Sequence, residues 1–213
     1  MQTEKIKISN NGEGMNDALE LTRKTADSIG LTGKNNYYLC LLSEELLGMV
    51  RAIVGDFKAS FWIESWIEDA TRKCKIHLDA ESQIDYAAKQ DLISVSSRKK
   101  NAFSFGIMEK VRNIMEGFLY NMEESFKFQS EYGTGILDYG TLGMSGSEIS
   151  QAVYSWSMSK YKKSIENKKN DSDNETVSEA WDELEKSIIA NIADDVQVGI
   201  KDNIISVIIL KNF

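Results

Sequence analysis

The chain has 213 residues, of which 42% are hydrophobic and 27% are charged, so it is large and apolar enough to bury a core. Lys and Arg total 25 against 33 Asp and Glu, and the formal net charge of −8 argues against binding to nucleic acid. The sequence contains no apolar run of about 18 residues and begins without the apolar stretch of a secretory signal. These features predict a cytoplasmic protein with no membrane span.

The cysteines and the single histidine limit the chemistry further. Cys40 and Cys74 are too few for a disulfide framework or a tetrahedral zinc site, and both lie on apolar faces, so we expect core thiols and no metal site. A single histidine, His77, excludes any mechanism that needs two. In an alternating strand His77 points away from Ile76 and Leu78, which predicts a surface position rather than a ligand or a base.

In the first half of the chain, a strand is predicted at residues 5–9 because polar and apolar residues alternate there. Helices are predicted at 15–29, ended by Gly30, and at 35–54, where leucines recur at three- and four-residue steps. Two strands, at 58–64 and 72–79, follow. Further helices are expected at 85–95 and 101–120.

The second half begins with a composition change at residue 121. Five of the 14 glycines lie between 133 and 146, which predicts an irregular, mobile loop. Beyond it we predict a helix from 147 to 165, a polar linker at 166–175, a helix at 176–192, and a hairpin of strands 195–200 and 204–210. Strands that occur in pairs favour an α+β fold: a two-layer α/β sandwich with a mixed, mainly antiparallel sheet covered on one face by helices.

Two groups of polar residues are candidates for chemistry. Glu44 lies near the edge of the apolar stripe of the second helix, where a carboxylate could orient water or a metal-bound phosphate; an exposed glutamate in an i, i+4 contact is the alternative. Lys99 and Lys100 belong to a run of serines and basic residues at 96–100. That run is either an anion site or a solvated turn.

The order of these elements resembles that of the GHKL (histidine kinase-like) ATPase domains, most closely the anti-sigma-factor serine kinases. That family carries a Ser-Glu-x-x-x-Asn box on its second helix, in which Glu is the general base and Asn holds magnesium. Ser43 and Glu44 match the first half of the box, so the resemblance implies that Glu44 is the catalytic base. Gly48 occupies the Asn position and has no side-chain oxygen for a hard cation.

The resemblance also implies a phosphate site where a glycine turn opens a helix. The turn here is Gly106-Ile107-Met108, with Ser104 in place of the preceding glycine, and backbone N–H groups would cradle the phosphate. Lys99 and Lys100, just upstream, would add positive charge.

The third box, an Asp-x-Gly-x-Gly that recognises the adenine amino group, corresponds to the stretch from Asp79 to Asp85, in which no glycine follows. Asp79 would then share a pocket with Glu44 and Gly106. The likeness covers residues 1–120 and the closing hairpin, 194–211. It implies a single histidine kinase-like domain over 1–213, with residues 121–192 as an insertion.

By this resemblance the chain is a bacterial regulatory protein that binds a protein partner, such as a sigma-factor-like or anti-anti-sigma-like regulator, through a scaffold whose ATP pocket is degenerate. The likeness also allows a homodimer. ATP remains open as a cofactor, and Gly48 disfavours magnesium. Two alternatives stay open: an active ATP-dependent serine/threonine kinase that uses Glu44 as base, and a structural or assembly domain without a ligand. Whether the protein is an enzyme is therefore undecided at this level.

Overall fold

The computed structural model describes residues 1–53, 56–81, 107–120, 154–169, 175–201 and 204–213. The described strands are β1 (Ile6–Ser9), β2 (Lys58–Glu68), β3 (Thr71–Glu81), β4 (Tyr154–Ser157), β5 (Asp195–Lys201) and β6 (Ile204–Asn212). The described helices are α1 (Met15–Ser28), α2 (Lys34–Ala52), α3 (Ile107–Tyr120), α4 (Met158–Lys169), α5 (Glu175–Lys186) and α6 (Ile188–Ile192). Within this part of the chain, no helix is long and apolar enough to cross a membrane.

The six described strands form one sheet in the order β1-β2-β3-β6-β5-β4. All five pairings between neighbours are antiparallel, so the predicted α+β class is confirmed and the described part of the sheet is uniformly antiparallel. A two-residue turn joins β2 to β3, with Asp69 and Ala70 both in the left-handed region at φ 49° and 64°. Such a turn matches the twist of the two flanking strands.

Strand alternation gives the sheet two distinct faces. The first, here called the helix face, carries the side chains of Ile8, Phe61, Ile76 and Val207, each at most 2% exposed. Arg72 shares this face and donates from Nε to the carbonyl oxygen of residue 29, at the end of α1, over 2.6 Å. The helix α1 therefore covers this face, and the buried apolar side chains of α2 belong to the same apolar cluster. The opposite face is called the second face.

The core between helices and sheet explains why α2 forms where the leucine pattern predicts it. Leu39, Leu42, Leu46 and Val50 recur at helical spacing and are fully buried. They belong to the same apolar cluster as the helix-face residues of the sheet. Burial of one helical stripe against a sheet stabilises a helix more than intrinsic propensity does.

Two helix predictions in the second half of the chain are corrected. The span predicted as a helix at 147–165 contains β4, because Trp156 pairs with Val198 of β5 and is only 5% exposed; α4 begins immediately afterwards. The helix predicted at 176–192 is broken at Ser187, whose hydroxyl caps α6 by accepting from the backbone N–H of Ala190. The closing hairpin is confirmed as β5 and β6. The helix expected at 85–95 and the glycine-rich loop lie outside the described residues.

Candidate functional site

The structure places Glu44 and Gly48 on the exposed side of α2, one helical turn apart. The residue before them, Ser43, is fully buried, and its hydroxyl lies 3.2 Å from that of Thr22 on α1. Ser43 is therefore part of the contact between the two helices. A Cβ atom added at Gly48 would have no neighbour within 4 Å, so the space directly beside this residue is open.

Asp79 lies on the second face of the sheet, half-buried near the end of β3. Its Oδ1 accepts a hydrogen bond of 2.6 Å from the hydroxyl of Ser206 on β6. Because α2 packs on the helix face, the sheet separates the Asp79 carboxylate from Glu44. The structure does not bring these two carboxylates together in one pocket.

The proposed phosphate turn is described only from its second residue onward. Ile107 is the first residue of α3 and is 1% exposed, and Met108 packs partly buried against the same core. Ile107 thus anchors the start of the helix in the core. Gly106, Lys99, Lys100 and Asp85 lie outside the described residues, so their suggested roles stay predictions.

A continuous row of buried side chains crosses the second face of the sheet. Successive cross-strand partners form it, and each is 3–8% exposed: Trp62, His77, Ile208, Gln197 and Ser157. The predicted surface position of His77 is therefore wrong. The alternation did place its side chain opposite Ile76, but the centre of this second face is itself buried.

His77 stacks on Trp62, with ring centroids 4.6 Å apart and planes 7° from parallel. The Nζ of Lys5 lies 3.8 Å from the centroid of the same indole. Burial lowers the pKa of His77, against the opposing charges of Glu64 and Asp79. The imidazole therefore holds its proton less readily than a histidine in water.

Two ring nitrogens of this stack are buried without a hydrogen-bond partner in the described part of the chain: Nε1 of Trp62 and Nε2 of His77. A carboxylate oxygen of Glu64 lies 3.3 Å from Nε2 of His77, close enough to form an ion pair when the imidazole is protonated. Buried polar atoms without partners are uncommon and costly, so this stack stands out on the sheet. Alternation alone could not have identified Trp62 and His77 as partners, because their register depends on the two-residue turn at Asp69 and Ala70, which lies between the predicted strands.

Within the described ranges, neither the cysteines nor the metal-ligating side chains form a further site. Cys74 is buried on the helix face, and burial raises its pKa to about 12. Cys40 is half-buried, and burial also raises the pKa of its thiol. Among the described residues, no group of three or more His, Cys, Asp or Glu side chains is arranged to hold a metal ion.

Comparison with known proteins finds no matching family model, no matching curated protein and no matching solved structure.

Proposed function

We propose that this chain is a bacterial, cytoplasmic regulatory protein that acts by binding a protein partner and whose histidine kinase-like nucleotide pocket is degenerate. The observation that carries the proposal is Gly48. It lies one turn after Glu44 on the exposed side of α2, where the resemblance requires a magnesium-binding Asn. Magnesium demands oxygen ligands in near-octahedral geometry, and a glycine side chain supplies none. Without the metal, the charge of the transferring phosphate is not neutralised.

The position of Asp79 supports the same proposal. An adenine-recognising carboxylate has to face the pocket that the helices border, on the side of Glu44. Asp79 instead faces the second side of the sheet, and one of its oxygens accepts from Ser206. A scaffold of this kind serves as a binding module when the groups for phosphoryl transfer are missing.

Calorimetric titration with ATP and ADP, with and without magnesium, tests the loss of the pocket. We expect no magnesium-dependent binding tighter than about 100 µM, which corresponds to about −5.5 kcal/mol at 25 °C. Tighter binding that disappears in Glu44→Ala would overturn the proposal. Gly48→Asn restores the missing oxygen, and Gly48→Ala is its matched control because both add a side chain at the same open position.

A serine/threonine kinase is the second candidate, and the exposed position of the Glu44 carboxylate on α2 favours it. A phosphotransfer assay on sigma-factor-like and anti-anti-sigma-like regulators separates the two functions. The binding protein forms a complex with such a regulator on size-exclusion chromatography and transfers no phosphate. Transfer that Glu44→Ala abolishes would establish the kinase. Absence of both a complex and nucleotide binding would favour a ligand-free structural domain.

A further inference from the structure

We propose that Lys5, Trp62, His77 and Glu64 form a proton-operated switch, in which uptake of a proton by His77 draws Glu64 inward and releases Lys5 from the indole of Trp62. The proton comes from solvent and binds to the imidazole ring. This inference is independent of the proposed function, because it concerns the second face of the sheet.

The stack has a fixed order. Trp62 lies on β2, between β1 and β3 in the sheet. His77, on β3, covers one face of the indole at 4.6 Å, and the ammonium group of Lys5, next to β1, lies over the ring at 3.8 Å from the side of β1. One aromatic ring thus separates a permanent cation from a group that becomes a cation when protonated.

Protonation changes the balance within this stack. A neutral imidazole leaves the cation–π contact of Lys5 with Trp62 undisturbed. A charged imidazolium places a second positive charge against the other face of the same ring, and this buried charge is poorly screened. Of the two cations, Lys5 is exposed and His77 is buried, so Lys5 is the one that moves into solvent.

Glu64 is the group positioned to receive the new N–H. Its carboxylate is 3.3 Å from Nε2 of His77, and its side chain is 35% exposed, so it can rotate into hydrogen-bond geometry. The other charged neighbours on β3 are engaged elsewhere: Asp79 accepts from the Ser206 hydroxyl, and Lys75 lies over the Trp66 ring. From β6, the residue paired with His77 is the apolar Ile208.

The release of Lys5 has a consequence for the edge of the sheet. Gln2 forms a bridge with Glu64, and Ile6 pairs with Phe61. Three residues lie between Gln2 and Ile6, but only two lie between Phe61 and Glu64. The segment before β1 therefore contains one residue more than the part of β2 that it faces. Lys5 lies within this bulge, where the ladder is interrupted. Its contact with Trp62 is therefore a side-chain contact that links this segment to β2 where the ladder is interrupted.

An NMR titration of the full chain tests the switch, since His77 is the single histidine. Because Lys5 lies over the indole ring, we expect its side-chain methylene protons to be shifted upfield at neutral pH. We expect them to return to the position of a solvated lysine with the same midpoint as the His77 ring protons. In His77→Phe, which keeps an aromatic ring but does not titrate, the upfield position should persist throughout. A chemical shift of Lys5 that does not change as His77 titrates would overturn the proposal.

A second variant tests the proposal even if His77→Phe does not fold. Glu64→Gln keeps the size of the side chain and removes the charge that favours protonated His77. The midpoints measured for the His77 ring protons and for the Lys5 methylene protons should then move to lower pH by the same amount. Movement of the His77 midpoint alone, or acid unfolding before His77 titrates in the unsubstituted protein, would also contradict the switch.

Discussion

Gly14 directly precedes α1, and among the described glycines whose surroundings are known it is the one at which an added side chain would collide most severely. Its φ of 71° lies in the left-handed region, and a Cβ atom there would be 1.9 Å from the carbonyl oxygen of Lys7. That oxygen belongs to the backbone of the sheet, so it cannot rotate away. Gly14→Ala therefore carries two penalties, one for the backbone conformation and one for the collision.

Gly30 separates the two penalties. Its φ is 70°, close to that of Gly14, and an added Cβ would meet only the side chain of Arg72 at 3.6 Å, an ordinary van der Waals contact, so Gly30→Ala carries the conformational penalty alone, about 1 kcal/mol. Displacing the β1 backbone adds about 1–3 kcal/mol at Gly14, as overpacking does elsewhere. We expect the free energy of unfolding, measured by urea titration, to fall by about 3 kcal/mol in Gly14→Ala. Equal losses in the two variants would show that α1 does not approach β1 as described.

Three further predictions concern Gly48, the cysteines and His77. Gly48→Ala should raise the free energy of unfolding by about 0.5–1 kcal/mol, because the site is an open position inside a helix; a loss in the same urea titration would contradict this. In the native protein, iodoacetamide should alkylate half-buried Cys40 before Cys74, as mass spectrometry can follow, whereas equal rates would show that the Cys74 thiol is accessible. Because burial lowers the pKa of His77 below its ordinary 6.5, the unfolded chain binds the proton first as the pH falls through that value. Stability should then decrease with falling pH by at most about 1.4 kcal/mol per pH unit, and His77→Phe should lose this slope.

The elements that follow a strong local period were predictable from the sequence. The leucine stripe of α2 and the alternation of β3 mark buried faces directly, so the class of fold follows from them. The four-residue strand β4 was not predictable, because Trp156 fits a helical stripe equally well and the pairing with distant β5 decides the outcome. Local propensity carries no information about such a partner.

The same distinction applies to the candidate site, where the sequence pattern predicts the orientation of a side chain but not its burial. The exposed position of Glu44 next to the apolar stripe agrees with the sequence pattern. The orientation of Asp79 could also be predicted, because Asp79 alternates with Leu78 and therefore faces away from the helix-covered core. The burial of His77 could not be predicted from the sequence, because it depends on what surrounds the centre of the second face and not on the period of β3.

The pairing of β3 with β6 has a consequence for how the chain reaches this fold. Asp79 and Ser206, which meet across these two strands, are 127 residues apart in sequence. The centre of the sheet therefore forms only after a very long loop has closed, and the entropy of that closure precedes the gain from the contacts. We expect slow folding, and a chain shortened before β5 would leave one side of β3 as an open template for other molecules of the same chain.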